Sequence, residues 1–266
     1  MTNSPDNASV DAQIQSQVQL DYWNSQTPDV NGMLGGYPQV SRIDLQGSKN
    51  FIAKVRRIQH SRPLSPTSKT SPAPAPSLAN GKARATPAQP GKYRRVVDCG
   101  AGIGRITSGL LVSVAEVVDV VEPIQKFADV IVDSELKREG RVGEVYVQGL
   151  EDWRPREGEY DIVWNQWCLG HLTDVQLVHY LKRAARALRR EETEDGQLSW
   201  IMVKENLSTD AYGDDIFDQD DSSITRTDEK WKRCFADAGL FVVRSELQGG
   251  FPRGLYPVKM YALRPK

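Results

Sequence analysis

Two groups of residues in this sequence have types and spacings that could do chemistry. The first is Asp98-Cys99-Gly100-Ala101-Gly102-Ile103-Gly104-Arg105, where alternating glycines follow the β-branched pair Val96-Val97. Glycine lets the backbone turn tightly and approach a ligand with no Cβ in the way, as a strand–turn–helix cofactor site requires. A second apolar run, Val117-Val118-Asp119-Val120-Val121, ends in Glu122. An acidic side chain about 20 residues past such a loop can accept hydrogen bonds from ribose hydroxyls. A glycine loop alone also serves as a plain strand–helix turn. With both flanking elements and the acidic strand end present, the pattern predicts an adenosine-type cofactor.

The second group lies further along the chain. Gln148-Gly149-Leu150-Glu151-Asp152 offers Leu150 to an adenine slot, with Glu151 or neighbouring backbone groups at the base edge. Trp164-Asn165-Gln166-Trp167-Cys168-Leu169-Gly170-His171 is chemically dense. Trp164 reads as core, while His171 fits either a structural or a chemical role. Lys204-Glu205-Asn206 precedes a loop with Asp210, Asp214, Asp215, Asp218, Asp220 and Asp221. The ordered spacing of a calcium loop is not met, so no metal site is expected. The loop reads as a solvated acidic segment or, more sharply, as a negative mouth drawing in a cationic substrate.

These residues need a frame. Strands are predicted at Arg95–Asp98, Val117–Val121, Gly143–Gln148, Tyr160–Trp164, Leu198–Lys204, Phe241–Glu246 and Tyr256–Leu263. Helices are predicted at Arg105–Leu111, Lys126–Glu139, Asp174–Leu188 and Thr227–Ala238. Alternation of this kind implies a mostly parallel sheet covered on both faces, with the ligand across the carboxyl ends of the strands. Only Gly249-Gly250-Phe251-Pro252-Arg253-Gly254 separates the last two strands, which must therefore pair as an antiparallel hairpin. Residues 1–17 are polar and expected to form a disordered tail, and 18–61 a short helical extension or lid with a weak apolar stripe at Leu45, Phe51, Ile52 and Val55. The stretch 62–92, rich in proline and nearly free of large apolar side chains, is expected to be a disordered insertion.

Bulk properties exclude several classes. A net charge of −1 gives no drive toward nucleic acid or anionic membranes. The 3 cysteines, Cys99, Cys168 and Cys234, lack pairing or ligand spacing, which fits a reducing compartment. Neither a signal peptide nor an apolar run near the ~20 residues of a membrane span is visible. A soluble protein of the cytoplasm, with the nucleus as a second location, is expected.

The chain closely resembles the protein N-terminal methyltransferases that modify the α-amino group of Xaa-Pro-Lys proteins. The match runs through Tyr22-Trp23, Asp29 to Tyr37, Asp98 to Thr107, Gly149-Leu150, Tyr160-Asp161, Gln166-Trp167, Gly170-His171-Leu172-Thr173-Asp174, Lys204-Glu205-Asn206, Asp221-Ser222-Ser223 and Ala238-Gly239-Leu240. The blocks Gly32–Tyr37 and Gly170–Asp174 are more specific than the glycine loop. The resemblance implies an α/β, seven-stranded class I methyltransferase fold over 93–266, a Rossmann-like sheet with an antiparallel C-terminal hairpin, plus the N-terminal helical extension. It implies S-adenosylmethionine (AdoMet) as cofactor, held by Trp23, Gly100, Gly102, Arg105, Glu122, Leu150 and Gln166, with Glu151 beside them. Glu122 stands where the family carries aspartate. The peptide is assigned to Tyr22, Gly35, Trp167, Asn206, Asp218 and Ser223, with Asp221 and His171 as catalytic residues. Implied partners are proteins with exposed Xaa-Pro-Lys ends, such as ribosomal or chromatin proteins, met by a monomer or weak dimer that binds neither nucleic acid nor membrane. A small-molecule methyltransferase and a non-catalytic binder of basic tails are the rival readings. A nucleic-acid methyltransferase is disfavoured, because Asn165-Gln166-Trp167 stands where an aromatic-Pro-Pro-aromatic motif would be needed.

Overall fold

In the computed structural model, which describes residues 9–60, 91–190 and 197–266, the apolar runs become strands. These are β1 (Tyr93–Cys99), β2 (Ala115–Val121), β3 (Val142–Tyr146), β4 (Ile162–Gln166), β5 (Trp200–Asn206), β6 (Ile216–Asp218), β7 (Ser223–Thr225), β8 (Leu240–Leu247) and β9 (Val258–Pro265). A 7-stranded sheet has the order β3-β2-β1-β4-β5-β9-β8. The first five strands pair in parallel, and β9 and β8 close the sheet antiparallel, as the short glycine-rich connection requires. The order reverses between β1 and β4, where ligands of such sheets bind.

Side chains alternate across the central strands. Val97, Val163 and Ile201 enter one apolar layer, while Val96, Ile162 and Met202 enter the other. The first layer is covered by α7 (Asp174–Ala187) and α8 (Asp228–Asp237), named in a chain order that begins with α1 (Ser16–Ser25), α2 (Val30–Met33) and α3 (Ser41–His60). Helix α3 covers the second layer with Phe51, Ile52 and Val55, exposed by 1%, 2% and 0%. Each such burial stabilises by roughly 1.5–3 kcal/mol, so lifting α3 would cost about as much as a domain's whole stability. It is a structural layer of the domain. Of the helical extension or lid expected there, α3 is thus part of the core, while α1, with no buried side chain, and Met33 of α2 face the site. The weakness of the stripe in the sequence reflects its narrowness, because the other face of α3 is polar and exposed.

Of the tail expected to be disordered over 1–17, the described part, residues 9–17, is ordered. Val10–Gln13 makes a 3-10 turn whose Asp11 carboxylate accepts from Asp174 N at 2.7 Å. The single helix expected over Lys126–Glu139 is two, α5 (Gln125–Val132) and α6 (Glu135–Arg138). Ser134 adopts extended backbone there and caps the second by accepting from Lys137 N at 3.2 Å. Between β1 and β2 a π-helical turn, Thr107–Leu111, runs into α4 (Val112–Val114). The acidic loop is not purely irregular. Its β6 and β7 pair antiparallel, while Asp210 and Asp215 cap backbone N–H groups of Tyr212 and Thr227. Cys99, Cys168 and Cys234 are buried thiols. The Pro-rich insertion lies outside the described residues except for Gly91 and Lys92.

Candidate active site

The carboxyl ends of β1, β2 and β4 meet around a cavity of 380 Å³. Trp23, Gly100, Gly102, Arg105 and Glu122 line it, together with Leu150, Glu151 and Gln166, so the residues assigned to the cofactor come together. Gly100 and Gly102 have φ of 65° and 55°. A Cβ on Gly100 would fall 2.3 Å from Cys168 Cβ, and one on Gly102 2.6 Å from Met33 Sδ. Conformation demands glycine at both positions, and at Gly100 space does so too, because Cys168 Cβ is fixed to the backbone whereas Met33 Sδ belongs to a flexible side chain. Glu122 is buried at the end of β2, where it accepts from Gly102 N at 2.7 Å and Ile124 N at 2.9 Å.

Burial pushes the Glu122 carboxyl up to about 7. A carboxylate is a stronger acceptor for ribose hydroxyls than the acid, so adenosine binding should tighten as pH rises through about 7. Between pH 6 and 8 the Kd for S-adenosylhomocysteine is expected to fall about fivefold by calorimetry, the difference between a charged and a neutral acceptor. Glu122→Gln should flatten that slope. A slope that survives the substitution would assign it to another group, Asp98 first, whose buried carboxyl stands at about 6.

A second cavity, of 280 Å³, opens on the other side of Trp23, Met33, Trp167 and His171, which line both. Tyr22, Gly35, Asn206, Asp221 and Ser223 line this second space. Asp218 does not; it is exposed at the end of β6, paired in register with Ser223, and its Oδ1 accepts from Asp220 N at 2.9 Å. Its charge nevertheless acts on Tyr22 and His171. Trp167 has φ of 54°, a left-handed conformation that costs a non-glycine residue of order 1–3 kcal/mol. The strain is held by Trp167 N donating to Lys204 O at 3.1 Å and by Glu205, whose Oε1 accepts from Cys168 N and Leu169 N at 3.0 and 2.9 Å. The indole ends near Phe251 and Arg105, at 6.4 and 5.6 Å.

His171 precedes the capping box of Thr173 and Gln176 that starts α7. The Trp23 Nε1–H donates to His171 Nε2 at 3.1 Å. Indole is a donor only, so Nε2 must present its lone pair and the ring proton sits on Nδ1. That Nδ1 is buried without a partner among the described residues. Burial lowers the His171 pKa and raises that of Asp221, whose Oδ1 accepts from Ser223 N at 3.1 Å. Helix α1 is tied over the pair: Gln19 Nε2 donates to His171 O and Ser222 O at 2.9 and 2.8 Å.

Sequence reasoning missed several supports. Arg226 is fully buried and holds the His171 loop, donating to Leu169 O, Leu172 O and Asp174 Oδ1 at 3.1, 2.5 and 3.0 Å. Phe251, Leu255 and Tyr256 reach the second cavity from the β8–β9 connection; the sequence pattern gives Phe251 no role there and expects Tyr256 to open the last strand, which starts at Val258. Asp44 on α3 accepts from both Arg105 and Gln166, and no spacing marks it. Among the described residues no group of three or more His, Cys, Asp or Glu could hold a metal ion.

The sequence and fold that build these two cavities are matched in known proteins. The model of the AdoMet dependent proline di-methyltransferase family fits residues 11–66 and 78–264. The chain belongs to this family. The interruption of the match falls inside the Pro-rich stretch. Alpha N-terminal protein methyltransferase 1 of Schizosaccharomyces pombe is 37% identical over 251 residues, covering 92% of this chain and 94% of that protein. N-terminal Xaa-Pro-Lys N-methyltransferase 1-A of Xenopus laevis is 36% identical over 244 residues, covering 91% and 92%. A solved SAM-dependent methyltransferase of Leishmania major superposes with a TM-score of 0.70 at 31% identity, covering 94% of this chain and 82% of that one. The cofactor of this methyltransferase is AdoMet, and the residues present fit it. Arg105 lines the first cavity, and the buried Gln166 Oε1 has no donor among the described residues. The carboxylate and ammonium of a methionine head group supply what each lacks.

Proposed function

We propose that this methyltransferase transfers methyl groups to the free α-amino group of proteins beginning [Ala/Pro/Ser/Gly]-Pro-Lys after removal of the initiator Met, giving mono-, di- or trimethylated ends. The observation that carries the reading is the shared wall. Trp23, Met33, Trp167 and His171 separate an AdoMet-sized cavity from a pocket that holds Asp221 and Asn206. AdoMet supplies an electrophilic methyl on a sulfonium when bound. The chain's own residues must do the rest. An α-ammonium has a pKa near ~8, so it must lose a proton before its lone pair is available. Asp221, a half-buried carboxylate, takes that proton. His171 cannot take it at Nε2 while Trp23 donates there; it serves as a donor through Nδ1–H. Trp167 offers an indole face to a second-position proline, which brings no N–H to satisfy. The lysine that follows meets the acidic rim at Asp218, with Tyr22, Gly35, Asn206 and Ser223 lining the approach. Substrates of this kind include ribosomal and chromatin proteins with such ends.

The test is direct. Purified protein with labelled AdoMet should methylate Ser-Pro-Lys and Pro-Pro-Lys peptides and leave their N-acetylated forms unlabelled. Label on the lysine of an acetylated peptide would overturn the α-amine assignment. Label on neither, with the cofactor bound, would return the small-molecule reading.

A further inference from the structure

Behind Arg105 and Gln166 stands a fully buried carboxylate, Asp44. Its Oδ1 lies 2.5 Å from Lys204 Nζ, its Oδ2 2.7 Å from Arg105 Nη1, and both oxygens 2.9 Å from Gln166 Nε2. Lys204 is itself fully buried and donates further to Asp44 O, Ser48 Oγ and Gln248 Oε1 at 3.0, 3.0 and 2.8 Å. An ionised carboxylate only accepts, so it decides which way each neighbour faces. Gln166 must turn its NH₂ toward Asp44, which leaves Oε1 as a buried acceptor with no donor among the described residues. Arg105 spends Nη1 on Asp44 and Ser41, and its remaining N–H groups make no hydrogen bond to described residues. Both side chains line the AdoMet cavity. A methionine head group is a zwitterion whose ammonium only donates and whose carboxylate only accepts. The contacting ions are one carboxylate against two cations, which leaves one positive charge for that carboxylate to meet.

We propose that Asp44, with Lys204 as its counter-charge, is the positioning residue that sorts the zwitterionic head of the cofactor. It presents the Gln166 carbonyl to the ammonium and the free arm of Arg105 to the carboxylate. The inference rests on the first cavity being the AdoMet site, and the experiment separates the two. The full-length protein is titrated by calorimetry with S-adenosylhomocysteine, its deaminated analogue and methylthioadenosine, which keeps the adenosine but has no amino-acid head. Wild-type protein should bind the deaminated analogue at least about tenfold more weakly than S-adenosylhomocysteine, the loss of one charge-assisted hydrogen bond. Asp44→Asn provides an NH₂ that lets Gln166 turn over. It should weaken S-adenosylhomocysteine by about tenfold, erase the preference for the amino group and leave methylthioadenosine binding unchanged. Asp44→Asn combined with Lys204→Met avoids stranding a lone buried ammonium and should give the same split between ligands. Equal losses for S-adenosylhomocysteine and methylthioadenosine, no loss for either, or a wild-type protein indifferent to the amino group would overturn the proposal. Failure of the wild-type protein to bind methylthioadenosine at all would instead overturn the placement of the cofactor.

Discussion

Asp221→Asn is expected to lower kcat on a Ser-Pro-Lys peptide by about a hundredfold near pH 7, the lower range for losing a positioned base. The deficit should narrow as pH rises. At pH 7 an α-amine with a pKa near ~8 is mostly an ammonium, and the enzyme must remove its proton; above pH 9 the solvent has already done so. Burial raises the pKa of Asp221, which makes its carboxylate a better proton acceptor than an exposed one. Asparagine keeps the shape and can still accept a hydrogen bond, but it cannot take the proton. S-adenosylhomocysteine affinity should hardly change, because Asp221 lines only the second cavity. His171→Asn should behave differently. With Nε2 accepting from Trp23, His171 is a donor, so its loss should cost activity by a factor that stays flat with pH. Stopped-assay kcat profiles from pH 6.5 to 9.5 distinguish the two. If the Asp221→Asn deficit stays flat and the His171→Asn deficit closes, the roles of the two residues are reversed.

The parts of this site built from consecutive residues are legible in the amino-acid sequence itself. Glycines at alternate positions after a β-branched run force the turn at Gly100, and an acidic strand end places Glu122 beside it. The hairpin of β8 and β9 follows from a connection too short for a crossover helix. What is not legible is whatever depends on distant residues meeting. Asp44 looks like an ordinary polar helix position, and only packing of α3 against the sheet brings it to Lys204, 160 residues away. No neighbour in sequence signals the burial of Arg226, since its hydrogen-bond partners, the carbonyls of Leu169 and Leu172 and the carboxylate of Asp174, lie 52 to 57 residues away. The acidic loop illustrates a partial reading. Its charge is plain, but its division into capping groups at Asp210 and Asp215, a cavity residue at Asp221 and a rim residue at Asp218 depends on how β6 and β7 pair.

Gly100→Ala should abolish most cofactor binding, for a reason that a second substitution can isolate. The new Cβ would lie 2.3 Å from Cys168 Cβ, a contact between two atoms fixed directly to the backbone. No rotamer relieves it. Either the glycine loop or the start of the Trp167–His171 segment must move, and both line the first cavity. Overpacking of this kind costs about 1–3 kcal/mol, and a φ of 65° adds about 1–2 kcal/mol for any side chain. Together these predict an S-adenosylhomocysteine Kd weakened roughly a hundredfold. Because the clash is with Cβ, truncating the thiol alone cannot help: Cys168→Ala should leave the Gly100→Ala defect intact. Cys168→Gly removes the atom that is struck and should recover about tenfold of the loss, the backbone strain remaining. Rescue by Cys168→Ala as well would mean that Sγ, which donates to Cys99 O at 3.2 Å, rather than Cβ sets the spacing of the two loops. No rescue by either would place the whole defect in the left-handed backbone of residue 100, and the close approach of β1 to the β4 loop would then be incidental to cofactor binding.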